Sequence, residues 1–187
     1  MYSHVLTIGC TGMLREAAVA LAGRCRVMTS VARTQASLRA IDAAIHGADC
    51  AHHTLSADWS HPEAFVDAVA THVREAGAPD LVLAWLHDDA LGPQLAQALA
   101  PTDMACAFFQ VRGSAAANPS EDVGRLLASH NIPATVGYHQ VILGFHLDED
   151  GSRWLRDSEI CTGVLAAIDH PQSVTIVGTT TPWSDRL

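Results

Sequence analysis

His4-Val5-Leu6-Thr7-Ile8-Gly9-Cys10-Thr11-Gly12-Met13-Leu14-Arg15 is the stretch on which the reading of the fold turns. Its first part is apolar and β-branched, as in a strand buried on both faces of a parallel sheet. Gly9-Cys10-Thr11-Gly12 then breaks the strand. Met13 to Ala22 follows with Leu14, Ala17, Ala18, Leu21 and Ala22 at helical spacing. Strand, glycine turn and helix in this order present the free N–H groups of a helix N-terminus to a phosphate. Gly9 permits the tight turn, and Gly12 lets the backbone approach a pyrophosphate. Arg15 stands where a third glycine would complete a dinucleotide fingerprint. Gly-x-x-Gly also closes ordinary strand-to-helix turns. The alternation that follows it is what points to a nucleotide.

Beyond this stretch the chain alternates. A second strand, Arg26 to Val31, ends in Ala32-Arg33-Thr34. Helix Gln35 to His46 carries Leu38, Ile41 and Ile45 on one face. A third strand, His53 to Ser56, ends in Ala57-Asp58-Trp59. Ser60-His61-Pro62-Glu63 reads as a capping box opening helix Pro62 to Ala76. Strand four, Leu81 to Leu86, ends at His87-Asp88-Asp89, and helix Gly92 to Leu99 follows. Strand five, Ala105 to Val111, ends in Arg112-Gly113-Ser114. Ser114 to Ser120 reads as a loop and Ser120 to Ser129 as a helix. Strand six is expected from Val136 to Leu147, with an acidic turn after it. A last helix runs Asp157 to Ile168 and strand seven Val174 to Val177. Thr179 to Leu187 has no pattern. The expectation is α/β: a single doubly wound Rossmann domain, about seven mostly parallel strands in the order 3-2-1-4-5-6-7.

The totals narrow the class. With 187 residues, 49% hydrophobic and 17% charged, the chain has the content of one compact α/β domain. A formal net charge of −9 and the lack of a basic run argue against a nucleic-acid surface. No apolar run approaches the ~20 residues of a membrane span, and no leader precedes the first strand, so the cytoplasm is expected. The five cysteines are scattered and read as free thiols. Among 11 histidines only His52 and His53 are adjacent, and strand neighbours point to opposite faces, so no metal site is expected. All 11 basic residues are arginine; there is no lysine.

In a doubly wound sheet the ligand lies at the carboxyl ends of the strands. Arg33 ends strand two, where an acidic residue would accept from a ribose 2′-OH. An arginine fork there suits a 2′-phosphate, so NADP (as NADPH) is the expected cofactor, with Thr34 and Ser37 adding hydroxyls. Asp58 either contacts an adenine edge, with Trp59 walling the pocket, or serves the following helix. Leu86 and His87 would pass the cofactor ribose. The expected cofactor set is thus Gly9, Cys10, Thr11, Gly12, Met13, Leu14, Arg33, Thr34, Asp58, Trp59, Leu86 and His87.

Gly9-Cys10-Thr11-Gly12-Met13-Leu14, Arg33 after strand two, Asp58 after strand three and the strand-helix order resemble the short-chain dehydrogenase/reductase superfamily, most of all its extended and atypical branches. The resemblance covers Val5 to about Ser114 well. Arg153-Trp154-Leu155 with the last helix, and Val177-Gly178-Thr179 to Pro182-Trp183, also look like the ending of small bacterial Rossmann proteins of that label. It implies an NADP(H)-dependent oxidoreductase, a small-molecule substrate and a homodimer or homotetramer.

The departures are as informative. Enzymes of the superfamily use Tyr-x-x-x-Lys on the helix after strand five. The lysine lowers the tyrosine pKa so that it acts as an acid. That pair is impossible here, because lysine is absent and the tyrosines are Tyr2 and Tyr138. The chain is also short for the superfamily's long helices and substrate lid. His87, of a residue type that titrates near neutrality, becomes the expected proton donor, with Asp88 or Asp89 orienting it. Ser114 and Arg112 would position substrate; Tyr138 and His139 read as residues of strand six, with lining of the cleft by one of them, Tyr138 included among the catalytic candidates, as the alternative. Two functions stay open: reduction of a small carbonyl or imine, or NADP(H) binding by a redox sensor or scaffold that does no chemistry.

Overall fold

A computed structural model describes residues 1–100, 104–113, 131–148 and 151–182. The elements in chain order are β1 (Tyr2–Ile8), α1 (Arg15–Ala22), β2 (Cys25–Ala32), α2 (Gln35–Ile45), β3 (Ala51–Ser56), α3 (Pro62–Ala76), β4 (Leu81–Trp85), α4 (Leu91–Ala98), β5 (Cys106–Arg112), β6 (Val136–Leu143), β7 (Phe145–Asp148), β8 (Gly151–Trp154), α5 (Asp157–Asp169) and β9 (Val174–Val177). Seven strands form one parallel sheet in the order β3-β2-β1-β4-β5-β6-β9, as the alternation predicts. The helix expected at Ser120–Ser129, the loop before it, Ser114 and Trp183–Leu187 lie outside the described residues.

The central strands are apolar on both faces because both faces are covered. Val5, Leu6 and Ile8 of β1 are wholly buried, as are Leu81, Val82, Leu83 and Ala84 of β4. Alternate residues feed two cores. On one face Val5, Met28 and Leu83 pack with Ala17 and Leu21 of α1, Ile41 of α2 and Val164 of α5. On the other, Leu6, Ile8 and Val82 pack with Phe65, Val69 and Val73 of α3 and Leu91 and Leu95 of α4. Each large side chain so buried contributes about 1.5–3 kcal/mol. No helix among the described residues is long and apolar enough to cross a membrane.

Two local expectations are corrected. Strand six does not run to Leu147. The sheet strand stops at Leu143, and Phe145 to Asp148 pairs antiparallel with Gly151 to Trp154 in a separate hairpin. Gly144 is the hinge. A Cβ there would lie 2.1 Å from the Thr179 carbonyl oxygen, and Phe145 exchanges both backbone hydrogen bonds with Thr179 just beyond β9. Only glycine tolerates so close an approach. The apolar pattern continues unbroken across the bend, since Phe145 is itself fully buried, so periodicity does not reveal it.

The second correction concerns the start of α3. Ser60 is not its cap. The N-cap residue is His61, without a side-chain capping bond, and the Ser60 hydroxyl contacts His61 Nδ1 at 3.2 Å. Asp58 Oδ1 accepts from the Ser60 N–H at 3.0 Å. That bond closes a turn just ahead of the helix, whose own first N–H groups receive no side-chain cap.

Candidate functional site

The glycine turn forms the floor of a cleft of about 250 Å³ at the carboxyl ends of β1, β2 and β4. Gly9 has φ +70°, and a Cβ on it would stand 2.2 Å from the Trp85 carbonyl oxygen. Its N–H donates to the Val31 carbonyl at 3.0 Å, which locks the turn against the end of β2. Gly12 is exposed and faces open space, with nothing within 4 Å of where a Cβ would be. Leu14, at the N-cap of α1, supplies no capping side chain. Backbone donors around an open glycine fit an anionic group such as a phosphate.

Thr11, Gly12 and Met13 line the cleft, joined by Ala32, Arg33, Thr34 and Ser37 from the end of β2 and the start of α2. Thr34 caps α2: its Oγ1 accepts from the Ser37 N–H at 3.2 Å and donates to the Ser37 hydroxyl at 2.8 Å. Arg33 is exposed, with its guanidinium carbon 5.5 Å from the centre of the Trp59 ring. Trp59 in turn meets Phe65 edge-on at 6.5 Å, which anchors the wall in the core. Among the described residues no carboxylate lines the cleft.

His87 also lines the cleft, beside the two tryptophans. Its ring is 6.1 Å from Trp59 and 5.9 Å from Trp85, centre to centre. The cleft therefore gathers residues from three strand ends: the glycine turn, Arg33 with Thr34, and Trp85 with His87. Trp85, which an apolar strand assigns to the core by default, is half-buried and faces the cleft.

Several expected cofactor residues do not offer side chains to it. Cys10 and Leu14 are buried; the Cys10 thiol donates to the carbonyls of Ile8 and Leu83, and burial pushes its pKa up to about 12. Leu86 is buried in the α3–α4 core. These three have only backbone atoms to offer a ligand. Asp58 holds the turn before α3, and the Ser60 N–H lowers its pKa. It does not line the cleft.

Of the expected catalytic residues that the structure describes, His87 lines the cleft, whereas Tyr138 and Arg112 turn into a network beside it. Tyr138 stacks on Phe108 at 5.1 Å and donates its hydroxyl to Gln110 Oε1 at 2.5 Å. Burial raises its pKa, so it is a weaker acid than a free tyrosine. Arg112 is 4% exposed; one terminal nitrogen donates to Asp89 Oδ2 at 2.7 Å and the other to Gln140 Oε1 at 3.2 Å. Both arms of its fork are occupied, so it holds no substrate carboxylate in this arrangement. His139 lies on the other face of β6, stacked on Phe109 at 4.6 Å. Ser114 lies outside the described residues.

What sequence reading missed is the network that absorbs Arg112 and Tyr138: Asp89, Gln110 and Gln140. A signal existed. Gln110 and Gln140 interrupt apolar strands and sit directly opposite each other in the β5–β6 register. Paired polar residues inside a core imply a shared partner.

No protein-family model matches the chain, and no curated protein matches it. Solved structures do. A short-chain dehydrogenase from Sphingobium yanoikuyae, in complex with NADPH, superimposes with a TM-score of 0.72 at 18% identity over 97% of this chain and 91% of that one. A metagenomic short-chain oxidoreductase in complex with NADP gives 0.68 at 19% identity over 95% and 96%. A bulky-bulky ketone specific alcohol dehydrogenase from Comamonas testosteroni gives 0.72 at 14% identity over 97% and 88%. At these identities the likeness is one of architecture: the chain has the Rossmann-like α/β fold of the short-chain dehydrogenases and reductases it superimposes on.

Proposed function

We propose that the protein is an NADP(H)-dependent oxidoreductase of the short-chain dehydrogenase/reductase type, reducing a small carbonyl or imine. The observation that carries this reading is the pairing of an open glycine turn with Arg33 in one cleft that no carboxylate lines among the described residues. The pyrophosphate would sit on the turn at Gly9 to Met13. The 2′-phosphate would meet the Arg33 fork and the Thr34 and Ser37 hydroxyls, with Trp59 beside it as a flat wall. A carboxylate in that place would repel the phosphate. The NADPH and NADP held by two structural neighbours accord with the choice.

The bound nicotinamide would supply hydride, and the chain would supply position and a proton. Among the described residues His87 is the imidazole lining the cleft, so it takes the role of proton donor to the substrate heteroatom.

The test is calorimetry of NADPH and NADH with the wild type and Arg33→Ala. We expect NADPH to bind the wild type more tightly, and Arg33→Ala to weaken NADPH by about 10–100-fold, the size of a lost charge-assisted contact, with little change for NADH. Equal affinity for both cofactors, untouched by the substitution, overturns the assignment.

One observation favours a second reading, a dinucleotide-binding protein without turnover. The Tyr138 hydroxyl is turned onto Gln110, and the sequence has no lysine to activate a tyrosine. Tight NADPH binding with no oxidation of it by any small aldehyde, ketone or cyclic imine would select that reading.

A further inference from the structure

The β4–α4 loop is held from beneath by side chains that belong to other strands. Asp89 is gripped twice. Gln110 Nε2 donates to its backbone carbonyl at 2.9 Å, and Arg112 donates to its carboxylate at 2.7 Å. Gln110 is fixed in turn by the Tyr138 hydroxyl, and Arg112 by Gln140. The start of α4 is pressed onto the same network. A Cβ on Gly92 would stand 2.5 Å from both Gln110 Cδ and the Tyr138 hydroxyl. The neighbouring Asp88 does something local: its carboxylate accepts from the Ala90 N–H. Asp89 is therefore the residue of this loop tied to β5. His87 stands two positions before it, in the cleft.

We propose that Arg112 and Asp89 are positioning residues, an ion pair between a buried guanidinium and a half-exposed carboxylate that sets where His87 stands against the cofactor cleft. The register supports the reach, since Trp85 lies opposite Val111 and the chain enters the loop beside Arg112. The chemistry argues that the pair does more than hold the fold together. The pair is a poor source of stability, since the Arg112 guanidinium is desolvated while the Asp89 carboxylate that faces it is half-exposed and screened by water. Among the described residues the Arg112 Nε–H, which is buried, also has no hydrogen-bond partner. Apolar contact would secure a loop at lower cost but would not fix the direction of its backbone. A planar fork on a carboxylate, with a second donor on the carbonyl of the same residue, does.

This inference rests on the cofactor reading, and its test separates the two. Asp89→Asn, Arg112→Lys and Arg112→Met are compared with the wild type, with melting curves recorded to establish folding. With NADPH and the carbonyl or imine that the wild type reduces, we expect kcat to fall at least tenfold in Asp89→Asn and further in Arg112→Met. The KM for NADPH should stay within about threefold, because the Arg33 end is untouched. Arg112→Lys, which keeps the charge but loses the fork, should recover only part of kcat. In cofactor-free protein, the ring resonances of His87 should shift in Asp89→Asn while those of His52 and His53 do not. A wild type that fails to bind NADPH overturns the cofactor reading, and the ring resonances then still judge the pair. Unshifted His87 resonances, or kcat within threefold of wild type in a folded Asp89→Asn, overturn the positioning role. If Arg112→Met does not fold, Asp89→Asn decides alone.

Discussion

Two regions at the carboxyl end of the sheet treat their polar residues in opposite ways. At the carboxyl ends of β1 and β2, Thr11, Arg33, Thr34 and Ser37 stand open around a cleft. On β5 and β6, Gln110, Arg112, Tyr138 and Gln140 turn toward one another and onto Asp89. Open polar groups can meet a ligand; closed ones specify a shape. A polar side chain at a strand end is thus not evidence of a site until its partner is known. His87 stands where the two regimes meet, with its ring in the cleft and its loop on the closed network.

The largest effect should come from the hinge of the open region. Gly9→Ala places a Cβ 2.2 Å from a backbone carbonyl oxygen at φ +70°. We expect a loss of about 2–5 kcal/mol in denaturant unfolding and no measurable NADPH binding. Normal stability in this variant would mean that the turn and the Trp85 carbonyl can separate freely.

Next comes the meeting point. His87→Ala should lower turnover by about 10²-fold, the usual size of a lost general acid, with NADPH affinity near wild type. Turnover within a few fold would hand the proton to solvent or to a group outside the cleft. Lost NADPH binding would make His87 a cofactor contact instead.

The closed region is probed by Tyr138→Phe. Gln110 Oε1 loses its donor inside the core, so stability should fall by about 1–3 kcal/mol while NADPH affinity holds. A drop in affinity without a drop in stability would reverse the assignment of this region as closed.

The smallest effect is a pH dependence that belongs to neither region. His4 is buried on β1; its Nδ1–H donates to the Gly77 carbonyl at 2.7 Å, and its Nε2 lies 3.0 Å from the Thr29 hydroxyl. His72 of α3 meets the same hydroxyl at 3.2 Å, and His53 stacks near it edge-on at 6.3 Å. Burial, then repulsion among these rings, lowers the pKa values of His4 and His72. Both are neutral in the folded state at pH values where the unfolded chain begins to protonate. Their contribution is complete above the unfolded histidine value of about 6.5 and is lost progressively as pH falls from there toward the lower folded values. Urea titrations at pH 7.5 and 5.5 should record lower stability at the acid value, with a smaller difference in His72→Gln. An equal difference in that variant would place the sensitivity elsewhere.

Much of the architecture was legible because period and punctuation are local. Val5 to Ile8 and Leu81 to Leu86 read as strands close to the observed β1 and β4, and Val174 to Val177 as a strand and Pro62 to Ala76 as a helix with the observed ends. The glycine turn followed from Gly9 and Gly12, and Arg33 from its place at the end of β2. These are properties of a residue and its near neighbours, and short connections carry them directly into three dimensions. The break at Gly144 was not legible, because its cause is the Thr179 backbone, 35 residues further along the chain.

The sequence by itself therefore determined the order of elements, the faces they bury and the turn that opens the cleft. It also settled one piece of chemistry, since a chain without lysine cannot activate a tyrosine by a neighbouring ammonium. Only the tertiary structure decided which polar residues are available. Arg112 and His87 look alike in sequence, each a basic residue at the end of a strand. One is closed over by Asp89 from the loop above and Gln140 from the next strand, and the other stands beside two tryptophans in the lining of a cleft. The reason is physical: a hydrogen-bond partner is chosen by distance in space, and in a parallel sheet strands that touch are separated by whole crossovers of chain.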